Sequence, residues 1–178
     1  MSYSLRPLLP SDAAPVLGLN NAAVPAVNAH DETSLSALLT ASSHAIAIVH
    51  DEAPGDVLGF AVLFGVDADY ASENYRWFSA RSDSFLYVDR IVVSDTARNQ
   101  GLGALLYTAI FAAAGAAEVR EVFCEVNVVP PNPRSLAFHS RLGFEPIGEQ
   151  STKGGTVVVS LLSAPVVPAA VGPGVAHD

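Results

Sequence analysis

The sequence predicts an α/β (α+β) domain, and three observations predict it. Runs rich in β-branched residues alternate with segments whose apolar residues recur at helical spacing. Glycine- and proline-marked turns join neighbouring strand-like runs, the mark of antiparallel hairpins. Half of the 178 residues are hydrophobic, with 8 Phe, 5 Tyr and 1 Trp, enough apolar material for the core of one domain.

In chain order, residues 5–9 read as a first strand. Ser11 and Asp12 are cap residues for a helix running toward Asn28, which Pro25 kinks or ends early. Asp31 caps a second helix that ends near Ala41 and carries Leu35, Leu38 and Leu39 on one face. Residues 44–50 and 57–64 form an antiparallel hairpin turned at Pro54 and Gly55. The stretch 65–84 carries Tyr70, Tyr75, Trp77 and Phe78 and is too aromatic for a linker. It is either a lid over a substrate pocket or a flap packed on the domain or on a second subunit. The clearest strand is 85–93, followed by a polar loop to Gln100 and an alanine-rich helix over 103–117. Another strand spans 120–128. Pro133 then opens a helix to about Leu142, which Gly143 ends. Residues 144–149 and 156–162 close the domain as a hairpin across Lys153, Gly154 and Gly155. The domain is expected over 1–163, and 164–178, broken by Pro165, Pro168 and Pro173, as a mobile tail.

The formal net charge is −9 and no basic run occurs, which argues against nucleic acid or an anionic membrane as partner and suits a cationic substrate. The single cysteine, Cys124, excludes an internal disulfide, so a reducing cytoplasm is the expected setting. The first residues lack a signal-peptide apolar core, and the uncharged stretch 101–117 is too short to span a bilayer. His30, His44, His50 and His177 lack metal-ligand spacing, so no metal site is expected.

The chemistry concentrates in residues 93–104. A β-rich run enters a short polar loop, passes Gly101 and Gly103, and opens a helix. The first helical N–H groups have no intrahelical partner and carry partial positive charge, so such a junction can cradle a pyrophosphate. No Lys-Ser/Thr follows the glycines, so it is not a Walker loop, and it lacks the spacing of a dinucleotide fingerprint. The competing reading is that the glycines only permit tight helix–sheet packing.

Arg98-x-x-Gly101-x-Gly103-Ala104 after a strand resembles the Q/R-x-x-G-x-G/A signature of the GNAT acetyltransferase superfamily. The run from Asn132 through Ser135 and His139 to Gly143-Phe144 resembles that superfamily's N-x-x-A-x-x-x-Y-x-x-x-G-F element, with Ser135 in place of Ala and His139 in place of Tyr. Residues 124–127 with Pro130, Pro131, Asn132 and Pro133 further resemble a bacterial subgroup. The resemblance implies a GNAT-like twisted mixed, mostly antiparallel sheet flanked by helices, with a splayed parallel strand pair that receives the pantetheine arm of acetyl-CoA. Ile91, Val92 and Val93 would offer main-chain groups to that arm. Arg98, Asn99, Gln100, Gly101, Leu102, Gly103 and Ala104 would surround the pyrophosphate, and Asn132 and Ser135 would touch the cofactor's far side.

The implied activity is acetyl transfer to a small-molecule or peptide amine by direct attack in a ternary complex, without metal or covalent enzyme intermediate. Another acyl-CoA in the same cleft, or a CoA-binding module without transfer, are the alternatives. Members of the superfamily often dimerise, so a homodimer is among the expected assemblies. Strand alternation puts Tyr87, Asp89, Ile91 and Val93 on one face, which makes Asp89 a candidate base, with Glu125 on the partner strand the second. The competing reading of Asp89 is a salt bridge with an arginine; that of Glu125 is a solvent-facing residue. His139 stands where the superfamily's proton-donating Tyr would be and is the candidate acid; the competing reading is that it only hydrogen-bonds the cofactor and water protonates the thiolate. Cys124 faces away from Glu125 and reads as core. Acceptor contacts are expected from the N-terminal helices and the 65–84 stretch, with Asn28, Tyr75 and Trp77 foremost and Asn20, Asn21 and Asp31 beside them; the competing reading is amides that face solvent and aromatics that plug the core.

Overall fold

The computed structural model describes residues 2–167; the end of the expected tail, with His177, lies outside the described residues. Seven strands form one sheet in the order β1-β2-β3-β4-β5-β7-β6. They are β1 (Tyr3–Pro7), β2 (His44–His50), β3 (Ala53–Gly65), β4 (Phe85–Val93), β5 (Glu121–Val129), β6 (Glu145–Thr152) and β7 (Val157–Pro165). Every neighbouring pair is antiparallel except β4 and β5, which run parallel. The helices α1 (Ala13–Ala22), α2 (Glu32–Ala41) and α3 (Glu73–Ser79) supply Val16, Leu35, Leu38, Tyr75 and Phe78 to the core on one face. The other face is covered by α4 (Leu102–Ala116) and α5 (Pro133–Arg141), with Leu106, Tyr107 and Ile110 at its centre. Among the described residues no helix is long and apolar enough to cross a membrane.

Most of the expected elements form where the pattern puts them, and the departures have local causes. Asp12 does not cap α1. Its carboxylate takes two bonds from Arg6, at 2.6 and 2.9 Å, and the Leu9 N–H at 2.8 Å, and Arg6 holds it below the usual carboxylate range. The helix stops at Ala22 rather than near Asn28, short of Pro25. Asp31 does cap α2, accepting the Ser34 N–H at 2.7 Å. The β2–β3 hairpin turns at 51–52, before the expected Pro54-Gly55, because Val49 pairs with Val57 and His50 with Ala53. Residues 54–56 therefore bulge out of the ladder, where proline's missing N–H costs no strand bond. The closing strand runs on to Pro165, three residues past its expected end.

A second bulge matters more. Val62 pairs with Arg90 and Leu63 with Val88, which leaves Asp89 as an extra residue in β4. The alternation changes phase there. Phe85 and Tyr87 face α3, whereas Ile91 and Val93 share the α4 face with Leu86 and Val88. The expected common face for Tyr87, Asp89, Ile91 and Val93 is thus broken at Asp89.

Candidate active site

The parallel ladder between β4 and β5 starts at Phe85 and Glu121 and ends at Val88 and Cys124. The next residue on each strand is a carboxylate, Asp89 on β4 and Glu125 on β5. Beyond them no pairing joins the two strands, and the opening lies between two concave sites on opposite faces of the sheet.

On the α4 face a groove of about 600 Å³ is lined by Val93, Arg98, Asn99, Gly101 to Ala104, Asn132, Arg134, Ser135, Phe138 and Arg141. Gly101 sits at φ 79° as the residue before α4, a conformation that favours glycine. No side chain caps α4, and its first intrahelical bond is from Leu105 N–H to the Gly101 carbonyl, so the preceding N–H groups, on residues that line the groove, have no intrahelical partner. Gly103 serves packing too, since a Cβ there would meet the Phe138 ring at 3.1 Å. The packing reading thus holds for Gly103, whereas nothing packs where a Gly101 Cβ would stand. Arg98 pairs with Asp95 at 2.6 Å, and Arg134 donates to Asn99 Oδ1 at 2.7 Å. Nine of the twelve residues expected around the cofactor line this groove. Val92 turns its side chain to the opposite face, Ile91 is outside the lining, and the Gln100 side chain bonds Tyr3 and the Thr96 carbonyl instead. Arg134, Phe138 and Arg141 were not anticipated, although their i, i+4, i+7 spacing places them on one stripe of α5.

On the other face a cavity of about 290 Å³ is lined by residues from five separate segments, among them Asn28, Tyr70, Asn74, Asp89, Arg90, Glu125, Asn127 and Lys153. Asp89 is spoken for: Arg90 Nε lies 2.8 Å from Oδ2, both side chains are nearly buried, and the Tyr70 hydroxyl donates to Oδ1 at 2.6 Å. Arg90 Nη1 in turn bonds Asn20 Oδ1 at 2.8 Å, and Asn20 and Asn21 hold the carbonyls of Asn28 and His30. The salt-bridge reading of Asp89 is the one that forms. Asn20 and Asn21 brace the cavity wall rather than line it.

Glu125 differs. The Tyr87 hydroxyl donates to its Oε1 at 3.0 Å, while Oε2 is buried with no hydrogen-bond partner. Burial, and next the charge of Asp89, push its pKa up to about 8, against the opposing pull of the Tyr87 hydroxyl and the nearby Asn74 amide. The protonated acid is thus the major form at neutral pH. Glu125 is half-buried and lines the cavity rather than facing open solvent.

Three other expectations are corrected. His139 is 4 % exposed, and both its nitrogens are engaged. Nδ1 lies 2.8 Å from the Ser135 carbonyl, so it carries the proton, and Nε2 accepts the Tyr107 hydroxyl at 2.8 Å. Burial lowers its pKa, so the ring is neutral and ties α5 to α4. Tyr75 is buried beneath the cavity, with its hydroxyl on the Gly65 carbonyl at 2.8 Å. Trp77 packs on Gly148, where a Cβ would meet the indole at 2.6 Å, and Arg81 covers the ring at 3.5 Å. The 65–84 stretch is thus a packed flap whose residues 70–74 also wall the cavity. Cys124 is buried, as expected of a core residue. Among the described residues no group of three or more His, Cys, Asp or Glu is arranged to hold a metal ion.

The model of the acetyltransferase (GNAT) family matches residues 19–144. The ribosomal-protein-S18-alanine N-acetyltransferase of Escherichia coli superposes with a TM-score of 0.70 at 15% identity, over 97% of this chain and 99% of that one. Ard1 of Thermoplasma volcanium gives 0.75 at 15% identity over 94% and 99%. NAA60 of Arabidopsis thaliana, in complex with a bisubstrate analogue, gives 0.72 at 16% identity over 94% and 100%. At such identities the likeness is one of fold. None of the curated proteins compared with the chain matches it.

Proposed function

Because the chain belongs to the acetyltransferase (GNAT) family, we propose that it is an acetyl-CoA-dependent N-acetyltransferase acting on a primary amine. The observation that carries this reading is Glu125: a half-buried carboxylate lining the cavity, with one buried oxygen that lacks a hydrogen-bond partner, placed where β4 and β5 part, between a groove suited to a diphosphate and a cavity suited to an amine.

The groove fits the co-substrate chemically. The uncapped amides of α4 meet an anion without an intervening Cβ at Gly101, and Arg98, Arg134 and Arg141 surround them with positive charge. The main-chain edge of β4 from Asp89 to Val93 that faces β5 is free of ladder bonds, so it can hold an extended amide-bearing arm. The thioester supplies an acetyl carbon that takes a C–N bond as its C–S bond breaks. Glu125, which lines the cavity, accepts the proton that the ammonium must lose before it can attack, directly or through one water. Asp89, neutralised by Arg90 and held by Tyr70, fixes the pocket's shape and sets the field on Glu125. The locked, neutral His139 gives no acid, so the departing sulfur takes its proton from solvent.

His139 favours a second reading, a CoA-binding domain without transfer. Release of free thiol from acetyl-CoA, followed with a panel of amines, separates the two. Amine-dependent release that Glu125→Gln abolishes, with CoA affinity retained, is the expected result. CoA binding with no release for any amine leaves only the silent binder, and no affinity for any CoA species removes both. A reducing cytoplasmic setting suits the lone buried Cys124, and a homodimer remains compatible with both.

A further inference from the structure

The amine cavity has acidic side chains at one end and an ammonium at the other. At the inner end lie Asp89, whose side chain is 6% exposed, and Glu125, whose Oε2 is shut from solvent. Asp89 is matched by Arg90, so the unmatched acid there is Glu125. At the mouth lie two exposed residues, Asn28 from the α1–α2 segment and Lys153 from the turn between β6 and β7. Lys153 Nζ donates to Asn28 Oδ1, which joins the two sides of the opening.

Lys153 is the only lysine of the chain, against eight arginines. Among the described residues none of the ion pairs includes it. Glu73, the remaining acid of the lining, accepts the Lys153 main-chain N–H at 3.3 Å and so anchors the turn. Lys153 itself holds φ 53°, a left-handed conformation that costs a non-glycine residue free energy and that the Gly154 and Gly155 that follow share. The turn thus holds a cation over the cavity with only a neutral amide oxygen for a side-chain partner. A carboxylate makes a shorter and stronger bond to an ammonium than an amide oxygen does. At about 290 Å³, and ~30 Å³ per water, the cavity has the room of about ten waters, which suits a small molecule.

We propose that the acceptor is a small amine bearing a carboxylate, an amino acid, whose amine meets Glu125 and whose carboxylate replaces Asn28 Oδ1 on Lys153. This specificity rests on the transferase reading above. A peptide N-terminus would offer Lys153 another neutral carbonyl, and a simple alkylamine would offer it nothing. Lys153 is then the residue that selects the acceptor, and it takes no part in the proton transfer.

Matched probes test this with the full chain. Thiol release from acetyl-CoA is measured with β-alanine and with β-alaninamide, for the wild type and for Lys153→Gln. The wild type should prefer the acid by tenfold or more in kcat/KM. Lys153→Gln should cut that ratio to near one by raising the KM for β-alanine, with the amide rate and the CoA affinity unchanged. Comparing ratios cancels the difference in amine basicity between the two probes. Calorimetric titration of β-alanine into the CoA-saturated chain reads the same preference without turnover. Lys153-dependent binding without thiol release would overturn the transferase reading alone. Equal rates for acid and amide, a ratio untouched by Lys153→Gln, or no β-alanine binding in either protein would overturn this inference.

Discussion

The groove at the start of α4 and the cavity beside Glu125 lie on opposite faces of the same splayed strands, and they are built of different material. The groove is largely main chain: uncapped amides after Gly101, the free edge of β4, and arginines that add charge from solvent-exposed positions. Most of it comes from one continuous stretch, 97–104, with one face of α5. The cavity is a side-chain assembly drawn from five segments, and its polar groups brace one another from Asn21 through Asn20, Arg90 and Asp89 to Tyr70. A main-chain site tolerates loss of any one side chain, because each contributes a screened increment. A buried side-chain network does not, because removing one member leaves another charged or polar group without its partner.

Glu125→Gln should have the largest effect. Loss of the base removes about 10² or more from kcat while acetyl-CoA affinity holds. In the wild type kcat/KM should rise with pH and level off above about 8, as Glu125 loses its proton, and the variant should lose that inflection. Stability should move the other way. Between about 4.5 and 8 the native state holds a proton that the unfolded chain has released, so Glu125 lowers stability as pH rises through this window. Glu125→Gln should therefore melt above the wild type at pH 8, and the two should converge near pH 4. A residue kept only for structure would show the opposite at pH 8. Asp89→Asn sharpens the point, because the charge of Asp89 helps to raise Glu125, so its removal should move the inflection to lower pH.

Arg90→Met comes next, and it acts on the fold. It strands Asp89, nearly buried, without its cation, a loss of about 3–5 kcal/mol. Thermal denaturation should record a fall of roughly 10 °C for a domain of this size. Adding Asp89→Asn should recover part of it, since the stranded charge is then gone. A fall no larger than that of an exposed arginine would mean that the cavity wall stands without its network, and the contrast between the two sites would weaken.

The same contrast explains what was legible in the sequence. The 98–104 loop could be read because its residues are contiguous and Gly101 is dictated by main-chain geometry. The hairpins and α5 announced themselves by period and by Pro133 and Gly143. The cavity could not be assembled from pattern. The bulge at Asp89 changes the phase of β4, and strict alternation has no means of seeing an extra residue. His139 kept its place in the motif but not the expected role, because its partner Tyr107 stands 32 residues away on another helix. Lys153 looked like a turn residue until the fold brought it opposite Asn28. Arg134 and Arg141 are legible too, since the helical period that predicts α5 also sets them on one stripe.

Those two arginines give the smallest predicted effect and the cleanest check on the main-chain reading of the groove. Both are exposed, and Arg134 already shares its guanidinium with Asn99. An exposed charge facing a phosphate is screened by salt over about 8–10 Å at ordinary ionic strength. Arg134→Gln and Arg141→Gln should each weaken CoA binding by only about two- to fivefold at physiological salt, and both differences should shrink further in 0.5 M salt. Neither should alter the acceptor KM or the acid-to-amide ratio set by Lys153. Calorimetric titration of CoA at two ionic strengths measures it. A hundredfold loss from either substitution, insensitive to salt, would mean that a side chain rather than the α4 amides grips the diphosphate, and the two faces of the site would then be built alike.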